Sequence, residues 1–450
     1  MTRICSLKRK HCPEEKGRRA MQTSLQGIAQ KAKTQKKYRF GNLYGALNEA
    51  YLHDCWRDIR KQAAYGVDRI SAGEYEQNLS ANIKGLVERL KQKRYHAKLV
   101  RRKYIPKEGG KERPLGIPAV EDKLLQVAVA EILKAIYEQD FLECSYGYRP
   151  HRSVHEASEA MMRKVHFGAY NWMVEADIKG YFDNIDHDWL IRMLEERIDD
   201  EAFTRLIRKW LKAGILERDG KVVHPVTGTP QGGVVSPVLA NIYLHYALDL
   251  WFEKRVKPQL QRKAFLIRYA DDFVCGFERE SEARQFLEWL RERLEKFKLT
   301  LSEEKTRVIE FKRNNGGGNR FDFLGFEYFW NKHRDGRILL SRRTSRKKLR
   351  GSLKKFVEWC KANRHENLRE LFRKLNVKLR GYYNHYGVVG NFESLKQFYR
   401  QVVLSLRRWL NRRSQRRGMS WPKFNSLKEK YGLMQPKILH HRQQIQLQLK

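Results

Sequence analysis

The chain has 450 residues, 41% of them hydrophobic, which is enough for about three domains with packed cores and excludes a disordered chain. Its formal net charge of +40 is concentrated at the ends, because residues 1–40 carry +10 and residues 331–450 carry +26, whereas the 290 residues between them hold only +4. Basic ends around a nearly neutral body indicate a polyanion partner, and the absence of an apolar run of about 18 residues favours nucleic acid over a membrane.

The N-terminal part of the sequence predicts a flexible segment followed by helices. Residues 1–40 are basic and polar, and we expect them to be flexible, with Met21 as an alternative start. Residues 41–97 predict two helices, over 43–62 and 74–94, with Ser71 as the N-cap of the second.

Residues 100–118 alternate basic and apolar side chains and break at Gly109 and Gly110, which predicts a β-hairpin. Lys107 and Arg113 are spaced so that both could face a triphosphate across the bend. Taken alone, these two residues are better explained by a surface hairpin that carries charge for solubility; their combination with the other candidate segments favours the binding interpretation. A long amphipathic helix is predicted next, from Val120 to Tyr137, and strands and helices then alternate to about residue 330.

Two predicted strand ends carry carboxylates. An apolar strand over Trp172–Ala176 leads to Asp177, and strands over Phe265–Tyr269 and Phe273–Phe277 enclose Asp271 and Asp272. Asp is also typical of helix caps and of turns, so each position has a purely structural explanation. If the strands pair, however, three neighbouring carboxylates repel one another unless divalent cations are bound. Two Mg²⁺ ions at such a site can stabilise the attacking and leaving oxygens of a phosphoryl transfer.

A glycine-rich loop, Gly228–Gly233, separates these two carboxylate segments. Its glycines permit close approach of the backbone to a ligand, and Gln231 offers donors and acceptors to a base or sugar. The loop leads into a helix for which Ser236 is the predicted N-cap and Pro237 the first helical residue.

The last 120 residues are predicted to be mostly helical and strongly basic. In the segment RRWLNRRSQRRGMSWPKF, arginines alternate with Trp409 and Trp421, a pattern that suits RNA because guanidinium groups pair with phosphates and stack on bases. A solvated basic helix explains the charges but not the tryptophans.

The six cysteines form no Cys-x-x-Cys pair and no secretory signal is present, so we expect a reduced, intracellular protein.

Eight motifs of this sequence resemble those of one known family, and the resemblance extends from about Met21 to the C-terminus. In chain order they are IPKEGGKERPLGIP, SYGYRPHRSVHEA, ADIKGYFDNIDH, GTPQGGVVSPVLANIYLH, YADD, LTLSEEKT, FDFLGF and LRGYYNHYG. YADD alone is a weak signal, but eight motifs in register are a strong one. The chain resembles bacterial group II intron reverse transcriptases, also called maturases.

The resemblance implies an α+β fold of the right-hand polymerase type, with fingers and a palm built on antiparallel sheet, then a helical thumb and basic C-terminal helices. The implied domains are a basic N-terminal segment over 1–40, an N-terminal helical extension over 41–97, and fingers and palm over 98–330. The thumb, or maturase domain X, follows over 331–400, and a short segment that binds RNA or DNA over 401–450.

The resemblance also assigns roles to single residues. Asp177, Asp271 and Asp272 are the implied catalytic, metal-binding carboxylates, and Phe182 is the aromatic residue that excludes a 2′-hydroxyl. Lys107 and Arg113 are implied to hold the incoming triphosphate, Gln231 to lie near the nascent base pair, and Lys305 near the active site. A surface pair with an i,i+4 neighbour is the alternative for Lys305. The expected nucleic-acid contacts are Arg149 in the fingers and Arg408, Arg412, Arg413, Arg416 and Arg417 at the C-terminus.

The implied activity is RNA-directed DNA polymerisation with two Mg²⁺ ions, coupled to binding of a structured group II intron RNA for splicing and mobility. The other expected partners are an RNA template with a DNA primer, target DNA and dNTPs, without a membrane, in the bacterial cytoplasm near the nucleoid. We expect no C-terminal endonuclease domain, because the paired cysteines of such domains are missing. The alternatives are an RNA-binding splicing cofactor whose polymerase site is unused, and an intron-independent reverse transcriptase of host defence or repair.

Overall fold

The computed structural model of the chain describes residues 13–106, 112–229, 232–313, 318–413 and 418–440. Its α-helices are, in chain order, α1 Pro13–Thr34, α2 Glu49–Trp56, α3 Ala72–Gln77, α4 Leu79–Lys91, α5 Val120–Tyr137, α6 Val154–Phe167, α7 His187–Glu195, α8 Glu201–Leu211, α9 Ser236–Leu244, α10 Glu280–Lys296, α11 Arg346–Asn363, α12 Leu368–Tyr386, α13 Phe392–Leu410 and α14 Trp421–Lys430. Its β-strands are β1 Val100–Pro106, β2 Glu112–Ile117, β3 Trp172–Asp177, β4 Ile215–Leu216, β5 Val222–Val223, β6 Ala264–Tyr269, β7 Asp272–Phe277, β8 Arg307–Glu310, β9 Phe321–Phe323, β10 Phe326–Lys332 and β11 Ile338–Thr344.

The chain divides into two compact units. The first consists of Met1–Arg152, Asp177–Gln261 and Gln285–Lys305, and the second of Ser153–Ala176, Arg262–Arg284 and Thr306–Lys450. None of the helices in the described ranges combines the length and the apolar character that crossing a bilayer requires.

The first unit contains a sheet with the strand order β2–β1–β4–β5. β1 and β2 form the predicted hairpin, with Arg101 opposite Ile117 and Pro106 opposite Glu112. The tip of this hairpin, with Gly109 and Gly110, lies outside the described residues. β1 continues the sheet by pairing in parallel with β4.

Helix α5 begins at Val120 and ends at Tyr137, as its pattern predicted. It is the central helix of the first unit and is buried on nearly every side, including the polar side chains of Asp122 and Gln126. The hydroxyl of Tyr95 donates to the Asp122 carboxylate over 2.6 Å and accepts from the Trp210 indole over 2.8 Å. Buried polar groups in this core are therefore satisfied by one another, as low polarity requires.

The second unit contains two sheets, with the strand orders β6–β7–β3–β8 and β11–β10–β9. Both β6–β7 and β10–β11 are antiparallel hairpins, so the predicted α+β fold with antiparallel sheet is confirmed. Helices α11 to α14 follow. Each turn of α12 buries an apolar side chain, at Leu371, Leu375, Leu379 and Tyr383, which is the spacing of one helix face.

The structure corrects several predicted boundaries. Pro13–Thr34 forms helix α1 instead of part of a flexible segment, and Ala32 on that helix is fully buried. The expected helix over 43–62 is confined to α2, and the one over 74–94 divides at Asn78 into α3 and α4. Ser71 is the N-cap of α3, as predicted, within a capping box.

Two domain limits also fall inside secondary structure. The limit at residue 330 cuts β10, since the sheet continues to Thr344 before the helices begin at Arg346, and the limit at residue 400 cuts α13. Ser236 is the first residue of α9 and not its N-cap, because Val235 occupies the cap position.

We predict that Tyr95→Phe lowers the free energy of unfolding of the first unit by about 1–3 kcal/mol, because it leaves the Trp210 indole and the Asp122 carboxyl without their shared partner. Burial raises the pKa of Asp122 to about 6 in the fold, so this carboxyl is ionised at pH 8 and largely protonated at pH 5. The lost hydrogen bond stabilises the ionised form, so the loss in urea unfolding should be larger at pH 8 than at pH 5.

Tyr75→Phe is the matched control, because the buried Tyr75 hydroxyl has no hydrogen-bond partner among the described residues. It should change stability by less than about 0.5 kcal/mol. Equal losses for the two substitutions, or a loss for Tyr95→Phe that does not depend on pH, would contradict this account.

Candidate active site

The predicted carboxylates stand at the ends of neighbouring strands. β3 ends at Asp177, and β7 begins at Asp272, directly after Asp271. β7 and β3 are adjacent in the sheet, and the amide of Asn171, just before β3, donates to the carbonyl oxygen of Phe277, at the end of β7, over 2.9 Å. The beginning of β3 thus lies against the end of β7, so the strands are antiparallel. The C-terminal end of β3 therefore runs toward the N-terminal end of β7.

The turn before β7 is strained. Tyr269 pairs with Asp272, so that Ala270 and Asp271 form a two-residue hairpin loop. Ala270 has a φ of 58°, a left-handed conformation in which a Cβ costs roughly 1–2 kcal/mol and which such loops usually give to Gly, Asn or Asp. The fully buried Arg268 donates to the Ala270 carbonyl over 2.9 Å. A plain turn has no need of a buried arginine to hold it, and strain of this kind is typical of functional sites.

The Asp177 carboxylate has a cationic partner that lies far away in sequence. The Lys305 ammonium is 2.5 Å from its Oδ2 atom. The amide of Ser302 also donates to the Asp177 carbonyl over 2.8 Å, which aligns the segment that carries Lys305 with the end of β3. This ion pair joins residues 128 positions apart, so it is not an i,i+4 surface pair.

Metal binding by the carboxylates stays a prediction. In the part of the chain that the structure describes, no group of three or more His, Cys, Asp or Glu side chains is arranged to hold a metal ion. The Asp177 carboxylate is mostly buried and the Asp272 residue is exposed. Carboxylate oxygens are nonetheless the ligands that Mg²⁺ prefers, so the chemistry of these side chains fits the predicted ions.

Phe182 lies on a short 3₁₀ turn, Tyr181–Asp183, that the glycine-rich loop holds in place. The amide of Thr229 donates to the Phe182 carbonyl over 2.8 Å, and the amide of Gly228 donates to the Ile185 carbonyl over 2.7 Å. Gly228 has a φ of +90°, and a Cβ there would lie 2.7 Å from the Asp183 carbonyl oxygen. Only glycine allows this approach, so Gly228 and Thr229 can lie directly against the turn.

The Phe182 ring is 8% exposed and meets the edge of the Tyr148 ring, with 6.3 Å between the ring centroids. Tyr148 has a φ of 58° and is 47% exposed. Sequence reasoning missed Tyr148, although its place beside Arg149 in the motif YGYRP was a signal. A strained, exposed aromatic residue against Phe182 belongs to the same surface.

Arg149 points inward in the structure. Its guanidinium donates to the Glu138 carboxylate and to the carbonyls of Leu142 and Ser145, and its side chain is 6% exposed. These bonds secure the loop that presents Tyr148. A template contact by Arg149 stays a prediction, while its described bonds are structural.

Arg113 lies on β2 and is exposed. Its charge and that of Arg102 act on Asp183, where they oppose the burial that raises the pKa of this carboxyl. Arg113 is therefore close to the turn that carries Phe182. Lys107 and Gln231 lie outside the described residues.

The predicted C-terminal contacts differ in exposure. Arg408 and Arg412 are exposed, and the Arg412 guanidinium lies 5.0 Å from the Trp409 ring centroid. Arg413 is partly buried and donates to the carbonyls of Arg364 and Glu366, so it supports the helix junction. Arg416 and Arg417 lie outside the described residues.

Comparison with known proteins gives two family matches in tandem. A model of reverse transcriptase (RNA-dependent DNA polymerase) matches residues 105–328, and a model of the group II intron, maturase-specific domain matches residues 345–427. The first match confirms the predicted right-hand polymerase fold.

Known relatives agree with these matches. Group II intron-encoded protein LtrA of Lactococcus lactis subsp. cremoris is 34% identical, over 70% of this chain and 65% of that protein, so the chain spans just under two thirds of LtrA. Protein YkfC of Escherichia coli (strain K12) is 34% identical, over 61% of this chain and 78% of that protein. A solved structure of telomerase from Candida albicans with a TWJ fragment of telomeric RNA has a TM-score of 0.42 and 13% identity, over 84% of this chain and 71% of that chain. That likeness is too weak to carry an argument.

Both family models match this chain in order, and the chain covers 78% of a relative, YkfC, that is 34% identical to it. The chain therefore belongs to the family of group II intron reverse transcriptases and maturases.

Proposed function

We propose that the chain is an RNA-directed DNA polymerase that also binds a structured group II intron RNA as a maturase. The observation that supports the polymerase most directly is the antiparallel pair β3–β7, whose adjoining ends carry Asp177 and the Asp271–Asp272 pair. Carboxylate oxygens are the ligands that Mg²⁺ prefers, and the nucleotides of a polymerase arrive with divalent ions.

In this proposal Asp177, Asp271 and Asp272 hold two Mg²⁺ ions. When bound, the ions stabilise the attacking and leaving oxygens of the nucleotidyl transfer. The ion pair with Lys305 supports the assignment, because the Asp177 carboxylate takes a cationic partner in the folded chain. Arg268 holds the strained turn, so that Asp271 and Asp272 keep one direction.

The nucleotide would bind on the surface formed by Phe182 and Tyr148. The Phe182 ring leaves no space for a 2′-hydroxyl, and its position is fixed through the backbone bond from Thr229. Arg113, with Lys107, would hold the triphosphate, and Gln231 would contact the nascent base pair. The backbone bonds from Gly228 and Thr229 hold the turn that carries Phe182, and a fixed position of this ring is what discrimination between two similar sugars requires.

The maturase part of the proposal rests on the C-terminal helices. Residues 331–450, which contain these helices, carry +26 of the net charge of +40, and arginines lie beside Trp409 and Trp421 there. The family model over 345–427 and the printed name of LtrA both refer to group II introns. We infer that an intron RNA is the partner of this region, with target DNA as a further partner in mobility.

Primer extension on an RNA template with Mg²⁺ and dNTPs tests the polymerase. The double substitution Asp271→Asn plus Asp272→Asn should lower the rate by about 10³-fold or more, because it removes the charge that holds the ions and keeps the side-chain size. RNA binding should be unchanged. Asp335→Asn, in the exposed hairpin turn between β10 and β11, is the matched control and should extend primers like the wild type.

A wild-type chain that binds RNA tightly but extends no primer would refute the polymerase. The RNA-binding splicing cofactor with an unused site would then take its place.

Phe182→Ala should reduce the preference for dNTPs over rNTPs by on the order of tenfold or more, because the ring that fills the space of the 2′-hydroxyl is removed. Phe182→Tyr keeps the ring and should keep the preference. Single-nucleotide incorporation of a dNTP and of the matching rNTP measures the ratio. An unchanged ratio in Phe182→Ala would mean that the ring is only a core residue.

Gly228→Ala should lower the rate of primer extension by about tenfold or more, since the added Cβ must displace the Asp183 carbonyl and with it the Phe182 turn. Gly220→Ala is the matched control: Gly220 also has a positive φ, of +85°, but nothing lies within 4 Å of its added Cβ. Both variants bear similar backbone strain, so equal activities would show that the contact with Asp183 does not matter. Thermal unfolding of both variants checks that each is folded.

A further inference from the structure

A solvent-facing hollow of about 340 Å³ lies in the first unit and is lined by none of the residues used above. It is formed by the chain after α9 and by the C-terminal half of α10. The side chains that matter for its chemistry are Trp251, Arg255, Trp289, Glu292, Arg293 and Lys296. Three of them are cationic and one is anionic.

Two tryptophans of the hollow are partly exposed. Trp251 packs against Phe286, with 5.9 Å between the ring centroids, and both Trp251 and Trp289 keep part of their surface open to solvent. A single half-exposed indole is common at the edge of a core. Two that line one hollow beside cations are typical of a binding surface, because an indole offers a large rigid face for stacking.

Arg293 gives the hollow a fixed positive charge. Its guanidinium donates to the carbonyls of Ala247 and Tyr246, over 3.0 and 3.1 Å, and lies 4.5 Å from the Phe297 ring centroid and 5.8 Å from that of Trp251. Burial lowers the pKa of Arg293 from its ordinary value, although not enough to discharge an arginine. Both hydrogen bonds go to neutral carbonyl oxygens, so they orient the cation without neutralising it.

The carbonyls that hold Arg293 belong to a π-helical turn, His245–Asp249, and a second such turn follows at Phe252–Val256. A π-helical turn displaces carbonyl groups from their usual helix partners and is frequent at functional sites. Here it supplies acceptors for Arg293. On α10, Trp289, Arg293 and Lys296 follow the spacing i, i+4, i+7, which puts them on one face.

We propose that this hollow binds an unpaired nucleotide of single-stranded RNA, with its base stacked on an indole and its phosphate paired with Arg293 and Lys296. Unpaired bases are the part of RNA that stacks on aromatic side chains and guanidinium groups, and phosphates satisfy an uncompensated cation. The site rests on the proposed function only in that the chain binds RNA. It adds a further point of attachment that shares no lining residue with the candidate active site or with the C-terminal helices.

The test uses the full chain with a short fluorescein-labelled uridine oligomer that carries one 4-thiouridine, in the presence of excess RNA–DNA primer–template to occupy the polymerase. Trp289→Ala should weaken oligomer binding, measured by fluorescence anisotropy, by on the order of tenfold, and Trp289→Phe should bind like the wild type. Light-induced cross-links to the wild type should map by mass spectrometry to α10 or to the segment after α9.

The charge is tested separately. Lys296→Gln should reduce the slope of log affinity against log salt by about one, because one phosphate contact is lost. Arg284→Gln, an exposed arginine of the same helix that pairs with Glu280, is the matched control and should leave the slope unchanged. Equal slopes in the two variants would contradict a phosphate contact at Lys296.

The proposal would be overturned if Trp289→Ala bound the oligomer within twofold of the wild type and the cross-links mapped elsewhere. The hollow would then bind another protein or have no ligand. Trp289→Ala should extend primers at the wild-type rate. If the wild type itself extends no primer, the polymerase proposal fails, whereas anisotropy and cross-linking still decide this one.

Discussion

The pairing of β3 with β7 is the interaction on which the rest of the candidate site depends. Side chains alternate between the two faces of a strand, so a slip of one residue would turn every carboxylate to the other face. Five of the six residues of β7 are buried, and Met173 and Val174 of β3 are fully buried. Burial on both faces of the sheet holds the two strands together, and their register decides where the polar strand ends emerge.

Two cations then stabilise the geometry at the ends of these strands. The left-handed Ala270 costs roughly 1–2 kcal/mol, and a hydrogen bond from a charged group such as Arg268 contributes about 1.5–3 kcal/mol, which is enough to offset it. Lys305 acts on the other strand by pairing with Asp177. The ion pair is partly exposed, so its contribution to stability is small. It supplies a positive charge beside the end of β3 and adds little to the stability of the fold.

The sequence predicted the parts of the fold that local periodicity determines. The strands around Asp177 and the Asp271–Asp272 pair, the hairpin of residues 100–118 and helix α5 all follow from alternation or helical spacing.

Helix α1 was missed because its basic residues suggested flexibility, while its burial depends on a partner that no local pattern reveals. The direction of Arg149 was missed for a similar reason: an arginine looks the same in sequence whether it binds carbonyls inside the loop or phosphates outside it. Lys305 reaches Asp177 across 128 positions, a contact that depends on the fold as a whole.

The net charge of a segment does not reveal which of its cations are paired with carboxylates and which are not. The central 290 residues are almost neutral, yet neutrality on average is compatible with strong local fields. On α10, Arg284 and Arg291 pair with Glu280 and Glu288, so their charges cancel locally. Arg293, on the same helix, is held by carbonyl oxygens, and its charge remains. Acidic residues in this body therefore neutralise some cations and leave others, and the remaining cations mark where an anion can bind. Under the proposed function, a nearly neutral body can in this way contact RNA at chosen points, while the basic ends supply attraction that is independent of position.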